Sequence, residues 1–225
     1  MTFLNVVVFA TAIVQQHGTP YQLNRQVNSL LEQGKNAEAV STAREAVRAA
    51  EDAFGANHPA TAMILRNLAL AYERTGYYNR AEAAAMRSIG ILEGVFAPND
   101  VSMVPSLNVL SEAYAAEGRY VEALKPALRA VAIGPDAGAH YATALHNAGA
   151  IFESEGRLTE AGQYYRKALA ARVALLPAGH AYTENTRAAL ERVERAEQVA
   201  SKKRSPRHEA SILNPAYPPV RAYNR

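Results

Sequence analysis

The sequence predicts an all-α fold: a stack of about four helical hairpins closed by a C-terminal helix. Three observations predict it. Gly34, Gly76 and Gly118 recur every 42 residues, and Gly156 follows after 38. The residues around each glycine also agree in type. Four before it stand Leu30, Tyr72, Tyr114 and Phe152, and seven before it Val27, Ala69, Ser111 and Gly149. Five after it stands alanine every time (Ala39, Ala81, Ala123, Ala161), and twelve after it Ala46, Ser88, Ala130 and Ala168. Finally, apolar residues rarely alternate with polar ones, so no strand signal competes. Much of the 49% hydrophobic content is alanine, a strong helix former that also lets helices pack closely.

A glycine that closes an apolar-periodic run caps a helix, because it enters the left-handed region without a Cβ clash. Each glycine therefore separates a first helix from a second. Pro20 is a good first-turn residue, so unit one is predicted as helices over about 20–33 and 36–53. The loop Gly55-Ala56-Asn57-His58-Pro59 leads to unit two at 60–75 and 78–95. Ala97-Pro98-Asn99-Asp100 leads to unit three at 102–117 and 120–133, with Pro126 inside its second helix at the cost of one hydrogen bond. Gly134-Pro135-Asp136 closes that unit, and unit four follows at 139–155 and 158–175. The missing four residues lie between Ile133 and His140, where the curvature of the stack is expected to change. A last helix over 181–201 is rich in Glu, Arg and Ala and has no partner helix, as expected of a solvated cap on the final unit.

The run Leu68-Ala69-x-x-Tyr72, Gly76-Tyr77, Ala81 resembles the tetratricopeptide repeat (TPR) pattern. So do Leu110-Ser111-x-x-Tyr114 with Gly118 and Ala123, and Ala148-Gly149-x-x-Phe152 with Gly156 and Ala161. The 42-residue spacing and His58-Pro59 resemble the kinesin light chain subtype. The resemblance covers about residues 20–200 and implies a right-handed α-solenoid of about four TPR units plus a capping helix. The chain departs from the pattern in having no Trp, with Leu65 and Leu107 in its place, and in carrying Gln26 where later units have Leu68, Leu110 and Ala148.

The resemblance further implies a non-catalytic interaction module that binds a protein or peptide in its concave groove, lined by the first helix of each unit. By the family's offsets the groove residues are Asn24, Arg25 and Asn28; Arg66, Asn67, Leu70 and Arg74; Asn108 and Glu112; and His146 and Asn147. Asparagine amides both donate and accept, so a row of them suits an extended backbone, while Arg25 and Arg66 suit a carboxylate. The alternative is an enzyme or small-ligand-binding protein on a helical-repeat frame, which would need a concave acidic or histidine cluster.

Composition and motifs narrow the remaining classes. Residues 201–225 carry six Lys and Arg against Glu209, and the rest of the chain carries 18 basic and 20 acidic side chains. The near-neutral body argues against general nucleic-acid binding. Cysteine is absent, which excludes disulfides and thiol catalysis. The six histidines form no H-E-x-x-H motif, and His140 and His146 do not share one helix face. No phosphate loop or nucleophile elbow appears, so no cofactor or metal is expected. Residues 202–225 read as a basic, Pro-rich, disordered tail, in which Pro215-x-x-Pro218 has the form of a polyproline ligand. Residues 1–19 read as an export signal or as a cap on unit one. FLNVVVFATAIV (residues 3–14) has the length of a signal core, and Ala10-Thr11-Ala12 the form of a cleavage site. That reading slightly favours an exported or periplasmic protein, and no transmembrane segment is expected in the mature chain.

Overall fold

The computed structural model describes residues 19–203. The readings of residues 1–19 as an export signal or cap and of 202–225 as a tail lie outside the described residues but for Thr19 and residues 202–203, the last two of the final helix. Nine α-helices fill the described chain: α1 (Pro20–Glu32), α2 (Asn36–Phe54), α3 (Pro59–Arg74), α4 (Tyr78–Glu93), α5 (Val104–Ala116), α6 (Tyr120–Ile133), α7 (Ala139–Ser154), α8 (Leu158–Leu175) and α9 (Ala181–Lys203). Short 3₁₀ turns at Val101–Met103 and Pro135–Ala137 precede α5 and α7. Each helix packs on the next. The first helices of neighbouring units, α1, α3, α5 and α7, also touch one another in series. The fold is an all-α solenoid with α1, α3, α5 and α7 on one wall.

The four glycines take φ of 73°, 78°, 76° and 74°. At Gly76 the glycine N–H donates to the Glu73 carbonyl at 2.9 Å, and the Tyr77 N–H donates to the Tyr72 carbonyl at 2.9 Å. The same pair of bonds recurs at Gly34, Gly118 and Gly156, which is the Schellman closure of a helix end. It also explains the residue four before the glycine: its carbonyl is the terminal acceptor. In two units the residue after the glycine folds over that ring. Arg119 stacks on Tyr114 and Arg157 on Phe152, each with its guanidinium carbon 4.3 Å from the ring centre.

The small residues hold the hairpins together. Ala39, Ala81, Ala123 and Ala161 are fully buried, as are Ala46, Ser88, Ala130 and Ala168. Ser88 stays polar at no cost, because its hydroxyl donates to the Ala62 carbonyl at 2.7 Å. Leu65 and Leu107 are buried where the family's tryptophan would stand. Pro126 is buried in the second turn of α6, where its ring removes the N–H that would bond the Glu122 carbonyl.

The two ends differ from the middle. Gln22, Arg25, Gln26 and Ser29 are exposed on α1, so unit one presents a polar outer face where later units bury Leu68, Leu110 and Ala148. At the other end α9 buries Ala189, Leu190 and Val193 in a cluster with Phe152, Ala161 and Tyr165, and turns Glu191, Arg192 and Arg195 to solvent. The short junction before unit four holds two glycines with positive φ, Gly134 at 105° and Gly138 at 57°, on either side of the 3₁₀ turn.

Candidate functional site

Inner-wall residues of α3, α5 and α7 border a cleft of about 440 Å³, closed at one end by α8 and the start of α9. Seven of the eleven sequence-derived residues line it: Arg66, Leu70, Arg74, Asn108, Glu112, His146 and Asn147. Asn24, Arg25 and Asn28 of unit one do not. Asn24 is buried, while Arg25 and Asn28 are exposed. A second cleft of about 610 Å³ shares Arg66 and Pro105 with the first and runs past Met63 and Phe96 to Tyr21.

The asparagines prove to be struts between units. Asn67 Nδ2 donates to Asn24 Oδ1 at 2.6 Å and to Asn28 Oδ1 at 3.0 Å. Asn108 Nδ2 donates to the His140 carbonyl at 2.9 Å, and Asn147 Nδ2 to Glu112 Oε1 at 2.8 Å. Each bond ties the first helix of one unit to that of the next. Asn67 and Asn108 each also bury their Oδ1 without a hydrogen-bond partner. Each of these amides thus spends at least one donor within the stack, while Asn108 and Asn147 still border the cleft. The offset rule picks residues that share one cleft, but it could not tell a side chain pointing along the wall from one pointing off it.

The charged residues of the wall differ in how far they are engaged. Arg66 makes no hydrogen bond or ion pair among the described residues, and burial pulls its pKa below the usual arginine value. Arg74 Nη1 donates to the Leu31 carbonyl at 2.9 Å. Glu112 is the one carboxylate bordering the cleft among the described residues. Burial pushes its pKa up to about 7, with Glu73 adding to the rise and the Asn147 hydrogen bond opposing it. His146 is pulled down to about 4, by burial first and then by the positive fields of Arg172 and Arg192. The wall therefore sets a carboxyl held above its usual pKa and an imidazole held below its own beside the guanidinium groups.

Arg172 escaped the sequence reading, which considered only the first helix of each unit. It lies on α8, sixteen residues after its glycine, where units one and two carry buried Ala50 and Leu92. A charge at an otherwise apolar repeat position was the available signal. Arg172 is only 6% exposed, and Nη1 donates to the Tyr182 carbonyl at 2.6 Å and to Thr186 Oγ1. Its guanidinium also lies over the Tyr182 ring, 5.4 Å from the centroid. His140 and His146, on different faces of α7, both border the cleft, as does His180. His58 and His180 are matching loop features: each Nδ1 accepts the N–H two residues on and starts a helix. Among the described residues no cluster of three His, Cys, Asp or Glu could hold a metal ion.

A family model for the tetratricopeptide repeat matches residues 22–94, and a second with the same description matches residues 142–182. Among solved structures, the chain is similar to kinesin light chain TPR-like repeats from Podosopora anserina. The two are 19% identical, with a TM-score of 0.63 over 82% of this chain and 89% of that one. It is also similar to BtubC (BKLC) from P. vanneervenii, at 21% identity and a TM-score of 0.66 over 91% of this chain and 85% of the other. A Rap protein complexed with Competence and Sporulation Factor aligns at 16% identity and a TM-score of 0.68, over 81% of this chain and 50% of the Rap chain. At these identities the likeness is one of fold. No curated protein sequence is significantly similar.

Proposed function

The chain belongs to the tetratricopeptide repeat family, and from that premise we propose that it is a non-catalytic interaction module whose inner wall takes an extended segment of a partner protein. The observation that carries this reading is the shape of the wall. Two clefts of about 440 and 610 Å³ share Arg66 and Pro105, so the open surface is a trough touching all four units rather than a closed pit. Its floor is apolar at Leu70, Val109, Leu175 and Leu176, with charged heads between, which suits a chain of alternating side chains. The Rap protein's complex with Competence and Sporulation Factor supports the reading by analogy of fold.

A displayed random-peptide library tests it. Peptides selected on the full chain should lose binding to the Thr143→Trp variant, which fills the first cleft from α7. A variant at Lys125, exposed on α6 of the opposite layer, should bind as wild type does. Selected peptides that bind Thr143→Trp normally would sink the proposal.

A further inference from the structure

We propose that residues 3–14, the apolar run FLNVVVFATAIV outside the described residues, seat in the second cleft and cover the loop edge of units one to three. The occupant is a segment of this chain, and the first cleft stays open to a partner. The second cleft, of about 610 Å³, lies between the starts of α1, α3 and α5 and the end of α4. Tyr21, Met63 and Phe96 line it, yet they are 48%, 39% and 38% exposed. Val95 and Val101, each beside a lining residue in sequence, are exposed as well. Five of the twelve exposed large apolar side chains among the described residues thus gather at this edge. Apolar surface collected around a concave site marks a place where something docks.

The chain enters the fold beside this cleft. Thr19 and Gln22 cap α1 reciprocally: the Thr19 N–H donates to Gln22 Oε1 at 2.8 Å, and the Gln22 N–H donates to Thr19 Oγ1 at 3.2 Å. The start of α1 is therefore fixed. The Tyr21 ring lies 5.4 Å from that of Phe54, which in turn lies 5.4 Å from His58, another lining residue. Residues 15–18 separate Val14 from Thr19, a tether of about 17 Å at full extension. Tyr21 already lines the cleft, so that tether brings the apolar run to its mouth.

The chemistry of segment and cleft also agrees. Residues 3–14 hold no charged side chain. Arg66, where the cleft meets the rest of the trough, is the one Lys, Arg, Asp or Glu among the described lining residues. Two polar lining groups are satisfied within the fold: Ser88 donates to the Ala62 carbonyl at 2.7 Å and shares a 2.9 Å hydrogen bond with Ser106. The other surface near the chain's entry is the outer face of unit one, where Gln22, Arg25, Gln26 and Ser29 are exposed. An apolar run leaves water by entering the cleft and gains little on that polar face.

The full chain has no cysteine, so introduced pairs report on proximity without background. Met63→Cys is combined in turn with Val6→Cys, Val7→Cys and Val8→Cys, and each variant is oxidised mildly. A disulfide needs Cα atoms within about 7 Å. At least one pair should close within a monomer, seen as faster migration on a non-reducing gel, and Lys125→Cys in place of Met63→Cys should close with none. The second arm is a thermal melt. Met63→Ser, and Val7→Ser combined with Phe9→Ser, should each lower Tm by several degrees, because both lose the same contact; a side chain left exposed would change little. All three substitutions together should melt no lower than the weaker of the two variants, as expected of partners in one contact. Changes in Tm that simply add, or that are absent, overturn the proposal. So does closure with Lys125→Cys as readily as with Met63→Cys, or with neither. Disulfides found only in dimers would give the cleft to the segment of a second copy. Protein isolated from its host without residues 3–14 would leave the cleft to a partner, which also contradicts the assignment. None of these outcomes touches the first cleft, which Thr143→Trp tests separately.

Discussion

Gly149 and Gly90 both lie inside helices, and the structure gives them opposite predictions. A Cβ built on Gly90 in α4 meets nothing within 4 Å. Gly90→Ala should therefore raise stability by about 0.5–1 kcal/mol, through the entropy removed from the unfolded chain. A Cβ on Gly149 in α7 would stand 2.9, 3.0 and 3.2 Å from Cδ1, Cε1 and Cγ of Tyr165. That ring cannot give way easily. It is 1% exposed, and its hydroxyl donates to Glu153 Oε2 at 2.8 Å. Glu153 is itself gripped by Arg192 at 2.6 and 2.8 Å. Overpacking of this kind costs about 1–3 kcal/mol, which outweighs the helix-propensity gain of up to about 1 kcal/mol. Gly149→Ala should thus lower stability by up to about 2 kcal/mol, or several degrees in Tm at about 2–4 °C per kcal/mol. Far-UV circular dichroism melts of the two variants beside wild type read the result. If Gly149→Ala raises Tm as Gly90→Ala does, the placement of α7 against α8 is wrong.

Four further outcomes follow from the same contacts. Ala81→Leu forces a side chain into a fully buried site between α3 and α4 and should cost about 1–3 kcal/mol, seen as a lower denaturant midpoint; an unchanged midpoint would refute the register. Gly76→Ala places a Cβ at φ 78° and should cost about 1–2 kcal/mol, whereas a neutral effect in the same titration would deny the Schellman turn. Asn67→Ala combined with Asn147→Ala removes the bonds that tie unit two to unit one and unit four to unit three and should lower Tm; a melt unchanged from wild type would mean that these asparagines are not struts. The pH dependence has two opposing parts. Glu112, raised to about 7, binds more protons folded than unfolded, so its contribution to stability falls as pH rises from about 4.5 to 7. His146, lowered to about 4, binds fewer, so its contribution falls as pH drops from 6.5 to about 4. Glu112→Gln should therefore gain stability relative to wild type above pH 7, by about 1–3 kcal/mol, and lose that advantage by about pH 4.5. Denaturant titrations across this range check the sign, and a constant difference would contradict it.

The repeat made most of the fold legible in the sequence. Four glycines with a fixed large residue before and a fixed alanine after give hairpin ends and helix contacts at once, because close helix packing and a left-handed turn each tolerate few residue types. The wall was legible for the same reason: Arg66, Leu70, Arg74, Glu112 and His146 lie at repeat offsets. Two features were hidden. Asn67 looks like a groove residue by offset, and only the relative rotation of neighbouring units decides that it reaches Asn24 instead of solvent. Arg172 joins the site because the irregular segment between α8 and α9 brings Tyr182 and Thr186 beside it, a contact outside the repeat. His140 and His146 border the same cleft although they lie on different faces of α7.

Hydrogen exchange on the full chain, with and without a peptide selected from the library, tests the trough most directly. Binding should slow exchange in α3, α5, α7 and the segment 176–182, and leave α4 and α6 as they were. Protection confined to α4, α6 or the outer face of α1 would place the partner elsewhere and contradict the account.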